Sequence, residues 1–111
     1  MEDPLKLKQK YFDALSWENM DEEMYGPNAW RARVELDNGF ELSIVRHKHS
    51  YGGDKGLYEV GVFKDGQMTR PEGWYDEVKG WLDPIQVVDT VIELEKHDSD
   101  KATAMKIIWK N

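Results

Sequence analysis

The chain contains no cysteine, and that absence excludes disulfides, thiol catalysis and cysteine-ligated zinc or iron–sulfur centres together. Histidine is scarce, with three in 111 residues. No run approaches the roughly 18 apolar residues of a membrane span, and the opening MEDPLKLKQKYF is charged where a secretory signal would be apolar. The expectation is a cytoplasmic protein with no membrane partner. Also missing are the Gly-Lys-Ser/Thr ending of a phosphate-binding loop, the paired His-x-Ser or His-x-Thr motifs of two-histidine phosphoesterases, and a nucleophile elbow.

What is present is apolar bulk and negative charge. Hydrophobic residues make up 40% of the chain, with five Trp, five Tyr and three Phe, enough for one core and too little for two, so a single α+β domain over residues 1–111 is expected. The net charge of −7 is uneven: residues 1–29 carry seven acids and three bases, residues 30–70 six and seven, and residues 71–111 nine and five. Phosphate binding needs a basic footprint, so no direct nucleic-acid binding is expected. Acidic ends suit a partner with a basic surface, and equally they suit solvation.

Helical spacing of Leu5, Leu7, Tyr11, Phe12 and Leu15 after Pro4 predicts an N-terminal helix to about Ser16. WENMDEEMYGPN, residues 17–28, reads as a linker or a loose helical turn. From Trp30 the period becomes two: Trp30, Ala32, Val34 and Leu36 alternate with charged residues, as do Phe40, Leu42 and Ile44 beyond Asn38-Gly39. Residues opposite each other in a hairpin share a face, so a three-residue loop Asp37-Asn38-Gly39 is expected, pairing Leu36 with Phe40 and Val34 with Leu42. A like loop Lys64-Asp65-Gly66 would set Val62 opposite Met68, with a short strand Gln67 to Arg70. Residues 71–81 read as a loop. Asp83, Pro84 and Gln86 form a capping-box signal for a helix to about Lys96, with Ile85, Val88, Val91 and Ile92 on its apolar face. A last short helix, Lys101 to Lys110, carries Ala102, Met105, Ile108 and Trp109. The predicted fold is thus an N-terminal helix, a three- to four-stranded antiparallel meander, then one longer and one short C-terminal helix packed on one sheet face.

Taken together, NGFELSIVR, SYGGDKGLYEVGVF and VKGWLDPIQVVDTV resemble a group of small, uncharacterised accessory proteins of tailed bacteriophages, over about residues 30–95. The resemblance implies a protein made inside an infected bacterium that acts by binding host or phage components. It supplies no residue roles.

Two stretches are candidate sites. Residues 17–25 interleave acids with apolar groups, and Trp17, Glu18, Asp21, Glu22, Glu23 and Tyr25 would form an acidic and aromatic contact surface for a basic partner. The loop Ser50, Tyr51, Gly52, Gly53, Asp54, Lys55 is a glycine-rich turn where a binder can make contact. Just before it, His47 and His49 lie about 7 Å apart on one side of an extended strand. In the cupin pattern such a pair binds metal, but Glu59 lies too far along and no histidine follows Pro71-Glu72-Gly73 at the required place, His97 falling at a helix end, so neither metal nor cofactor is expected. Trp30, Trp81 and Trp109 are expected in the core, with Trp17 and Trp74 exposed. Arg31 and Arg33 should form a basic strip covered by a helix carrying Glu93 or Glu95. Three functions follow: a non-enzymatic accessory protein that binds, and inhibits, a host or phage protein; an acidic nucleic-acid mimic; and a small cupin-like metal-dependent enzyme using His47 and His49.

Overall fold

The computed structural model describes residues 3–104. In chain order the elements are α1 (Pro4–Asp13), β1 (Trp17–Asn19), α2 (Glu22–Tyr25), β2 (Trp30–Glu35), β3 (Phe40–Arg46), β4 (Tyr58–Lys64), β5 (Gln67–Arg70), β6 (Val78–Leu82), α3 (Pro84–Glu95) and β7 (Thr103–Ala104). The strands form one antiparallel sheet in the order β1-β2-β3-β4-β5-β7. β6 shares an edge of β4 with β5: β5 takes Phe63 and Lys64, while β6 takes Tyr58, Val60 and Gly61.

The antiparallel α+β character agrees with the expectation; the architecture does not. The meander of three or four strands followed by two helices is overturned by a seven-stranded sheet. The supposed linker contributes β1, the supposed loop at 71–81 contributes β6, and the start of the supposed last helix is a 3₁₀ turn at Ser99–Lys101 followed by β7. Met105, Ile108 and Trp109 lie outside the described residues. β1 and β7 are too short to show a period; they form because β2 and β5 offer unpaired backbone edges that a neighbouring segment can satisfy.

The first hairpin has the expected register, with Val34 opposite Leu42 and Ala32 opposite Ile44. Its turn is closed by the Gly39 amide donating to the Leu36 carbonyl at 3.1 Å and the Leu36 amide to Phe40 at 2.8 Å, and Gly39 has φ +96°. Asn38 ties this turn to the end of α3, its Nδ2 donating to the carbonyls of Leu94 (2.7 Å) and His97 (3.1 Å). The Leu94 carbonyl also accepts the His97 amide at 3.2 Å, so the hairpin turn adds a second donor at the carbonyl end of the helix. The second hairpin corrects the expectation: Phe63 faces Met68 and Lys64 faces Gln67, leaving a two-residue loop. Asp65 (φ 53°) and Gly66 (φ 77°) both adopt the left-handed conformation that an Asp-Gly turn provides.

One sheet face carries the core. Ala32, Phe40, Leu42, Ile44, Val60, Val62 and Leu82 meet Val87, Val88, Val91 and Leu94 of α3 and Phe12 of α1. Asp83 and Gln86 form the expected reciprocal capping box at the start of α3. Its buried face is turned from the one predicted, with Val87 and Leu94 fully covered and Ile92 exposed. In α1 only Phe12 is buried, while Leu5 and Leu7 point outward. Burying the core side chains removes most of their apolar surface from water, worth about 1.5–3 kcal/mol for each large one.

Candidate functional site

The acidic stretch is taken up by local structure. Trp17 is not exposed: it packs with Phe12 and Tyr58, ring centroids 5.4 Å from each, because β1 pairs it with core-facing Ala32. Glu18 accepts from Arg31 Nε at 2.8 Å and lies 3.6 Å from Arg33 Nε. The Asp21 carboxylate caps α2 by accepting the Glu23 amide at 2.9 Å. Glu22 and Glu23 are exposed on the first turn of α2, and Tyr25 rests on the His47 ring at 4.8 Å. The residues expected to act together thus divide between core, cap and ion pair. The basic strip is corrected as well: Glu18 faces it across β1, whereas Glu93 lies on the opposite side of the sheet, bound by Trp74 Nε1 at 2.9 Å.

The loop after β3 is fixed by its own hydrogen bonds. Ser50 is buried; its Oγ donates to the His47 carbonyl and accepts the His47 amide, both at 2.9 Å. His47 Nδ1 accepts the His49 amide at 3.1 Å, so this ring nitrogen is in use. Burial, and then the neighbouring His49, hold the His47 imidazole below its usual range. The two rings lie 6.1 Å apart, and among the described residues no group of three or more His, Asp or Glu is placed to hold a metal ion. The single sheet with both longer helices on one side is also not the two-layered barrel that the cupin pattern requires.

The same loop interlocks with β6. A side chain on Gly80 would collide with Tyr51, and one on Gly52 would meet the Trp81 backbone at 3.0 Å and its ring at 3.3 Å. Each aromatic residue therefore lies over the glycine beside the other, and the Trp81 amide closes the contact by donating to the Tyr51 carbonyl at 3.1 Å. This happens at a bulge: Tyr58 pairs Leu82 and Val60 pairs Lys79, so Gly80 and Trp81 together oppose Glu59. Trp81 has φ +60°, a conformation that costs a bulky residue about 1–2 kcal/mol. Its side chain is nevertheless 57% exposed, and Tyr51 is 56% exposed.

One carboxylate, Glu59, lies opposite the bulge that carries this aromatic ledge, and the Asp76 charge acts on it. Burial pushes the Glu59 carboxyl up, the Tyr51 amide pulls it back in part, and the Asp76 charge raises it further. The hydrogen bond between Asp76 and Glu77 holds the Asp76 carboxyl low and the Glu77 carboxyl high. Tyr75 beside them is fully exposed. Of the predicted loop residues the structure brings Tyr51 and Gly52 to the ledge, gives Ser50 and Gly53 to the loop's internal bonding, and leaves Asp54 and Lys55 exposed on a 3₁₀ turn. Sequence reasoning missed Glu59, Tyr75, Asp76 and Trp81; the available signal was Gly80, since a lone glycine in a strand marks a bulge or a close approach.

The chain matches no family model, no curated protein and no solved structure. Among the described residues no helix is long and apolar enough to cross a membrane.

Proposed function

We propose that this is a phage-encoded, non-enzymatic accessory protein that binds a host or phage protein through the ledge of Tyr51 and Trp81, with Glu59 and Asp76 receiving basic groups of the partner. One observation carries the reading: Trp81 keeps a large ring more than half exposed on a backbone where glycine would relieve strain. Strain held at an exposed aromatic is explained by contact made there. The interlock with Gly52 and Gly80 supports the same reading, because a ring fixed beforehand loses less freedom on binding. Glu59 and Asp76 form no ion pair with a base of this chain among the described residues, so a cationic partner would meet unshared charge.

The test is Trp81→Gly. It should leave the fold intact and its thermal midpoint unchanged or higher, while capture of a protein from a bacterial lysate falls at least tenfold. Association of the captured protein with the native chain should slow with rising salt, as screening shortens the reach of charge to about 8 Å. Capture by Trp81→Gly equal to that by the native chain would remove the ledge from consideration.

A further inference from the structure

The second face of the sheet is uncovered by α1 and α3, which meet the opposite face. Antiparallel sheets commonly wet one face, and that face is then polar. Here it is not uniformly so. Reading across the strands, one rung runs Arg33, Ser43, Gly61, Val78 and the next runs Glu35, Glu41, Phe63, Met68. The first is basic at one end and low at Ser43, while Gly61 beyond it is buried beneath the same chain's Phe63 and Val78, whose side chains would lie 3.6 and 3.7 Å from a β-carbon there. The second is acidic at the same end, and its Phe63 leans over Gly61 of the first. Between them lies a hollow of about 330 Å³ lined by Arg31, Arg33, Ser43, Glu41 and Phe63 among others.

The charges on this face are incompletely used. Arg31 and Arg33 both approach Glu18 through Nε alone, and to the same oxygen, Oε1; their Nη groups have no partner among the described residues. Glu35 and Glu41 stand directly opposite each other with no base paired to either among the described residues, an arrangement of like charges that is destabilising when left alone.

We propose that this face is where two copies of the chain associate, about a two-fold axis lying across the strands between the two rungs. Such an axis exchanges the rungs without changing strand. It sets Arg33 against the partner's Glu35, Ser43 against the partner's Glu41, and Val78 against the partner's Met68. Each of these exchanges is complementary: an ion pair, a hydroxyl to a carboxylate, and an apolar pair. Two sheets packed this way lie about 10 Å apart with strands nearly aligned. The ledge of Tyr51 and Trp81 lies outside both rungs, so the proposal stands independently of the proposed function.

Charge exchange tests it. Sedimentation velocity over a range of concentrations should show a dimer for the native chain. Arg33→Glu or Glu35→Arg alone should weaken association at least tenfold, since each places like charges together twice in the symmetric contact. The double variant Arg33→Glu with Glu35→Arg should regain native affinity within about threefold, because reversing both charges restores complementarity. Arg33 is largely exposed, and an unchanged circular dichroism spectrum confirms the fold of each variant. A native chain that stays monomeric, single variants that dimerise as the native chain does, or a folded double variant that stays dissociated would each overturn the proposal.

Discussion

Substituting Gly53 by alanine separates a rigid loop from a flexible one. Its φ is not in the positive range, so nothing in its backbone demands glycine, but a β-carbon there would overlap the His47 carbonyl oxygen and lie 2.5 Å from Ser50 Oγ. The methyl group can be accommodated only by moving the backbone that holds the Ser50–His47 bonds, both Oγ contacts at 2.9 Å and the Ser50 amide to His47 at 3.1 Å. Overpacking costs about 1–3 kcal/mol, and each hydrogen bond lost adds about 1 kcal/mol. A loss of about 3 kcal/mol is therefore expected, or a fall of about 12 °C in Tm for a chain of this size. Gly56 is the control: its φ is +76° with open space around it, so Gly56→Ala should cost only about 1 kcal/mol through backbone strain. Thermal and urea melts of both variants give the comparison. If Gly53→Ala loses no more stability than Gly56→Ala, the loop is a pliable connection and the packing argument fails.

Two further substitutions follow from the same geometry. Glu59 has a folded-state pKa above its unfolded one, so its favourable contribution is fully present below the unfolded carboxyl range and is lost as pH rises through the folded value; Glu59→Gln should match the native chain in acid and exceed it in Tm at neutral pH, and an equal difference at both pH values would contradict the assignment. Asp83→Ala removes the carboxylate that accepts the Gln86 amide at 2.8 Å and should lower stability by about 1 kcal/mol in a urea titration.

Parts of the fold were legible where one local rule sufficed. The first hairpin's register follows from keeping Leu36 and Phe40 on one face, and α3 starts where Asp83, Pro84 and Gln86 place it. β1 and β7 could not be read, because three-residue and two-residue strands owe their existence to a neighbour's open edge and not to their own period. The second turn departs from the first: likeness to Asp37-Asn38-Gly39 suggests a three-residue loop Lys64-Asp65-Gly66 with Val62 opposite Met68, whereas the Asp65-Gly66 pair alone specifies a two-residue turn. The candidate loop was located from its glycines, but the reason for them was not. Gly52 answers to Trp81, and Gly80 to Tyr51, across a separation in sequence that no local pattern reports.

The tryptophans show how one inserted residue redirects the outcome. On β6, Lys79 pairs core-facing Val60; strict alternation from there would turn Trp81 inward and Leu82 outward. The extra residue at Gly80-Trp81 resets the count, so Leu82 pairs Tyr58 and is 6% exposed, while Trp81 is carried to the surface. The bulge thus fills the core with leucine and presents tryptophan, at the cost of positive φ at a bulky residue. Trp17 shows the converse: its acidic neighbours suggested exposure, yet pairing with Ala32 sends it inward to Phe12 and Tyr58. In both cases the face follows from strand register, which the partner strand sets, and the polarity of adjacent residues carries no vote. The exposed aromatic ledge is therefore a product of the bulge, and Glu59, opposite that bulge, joins it for the same reason.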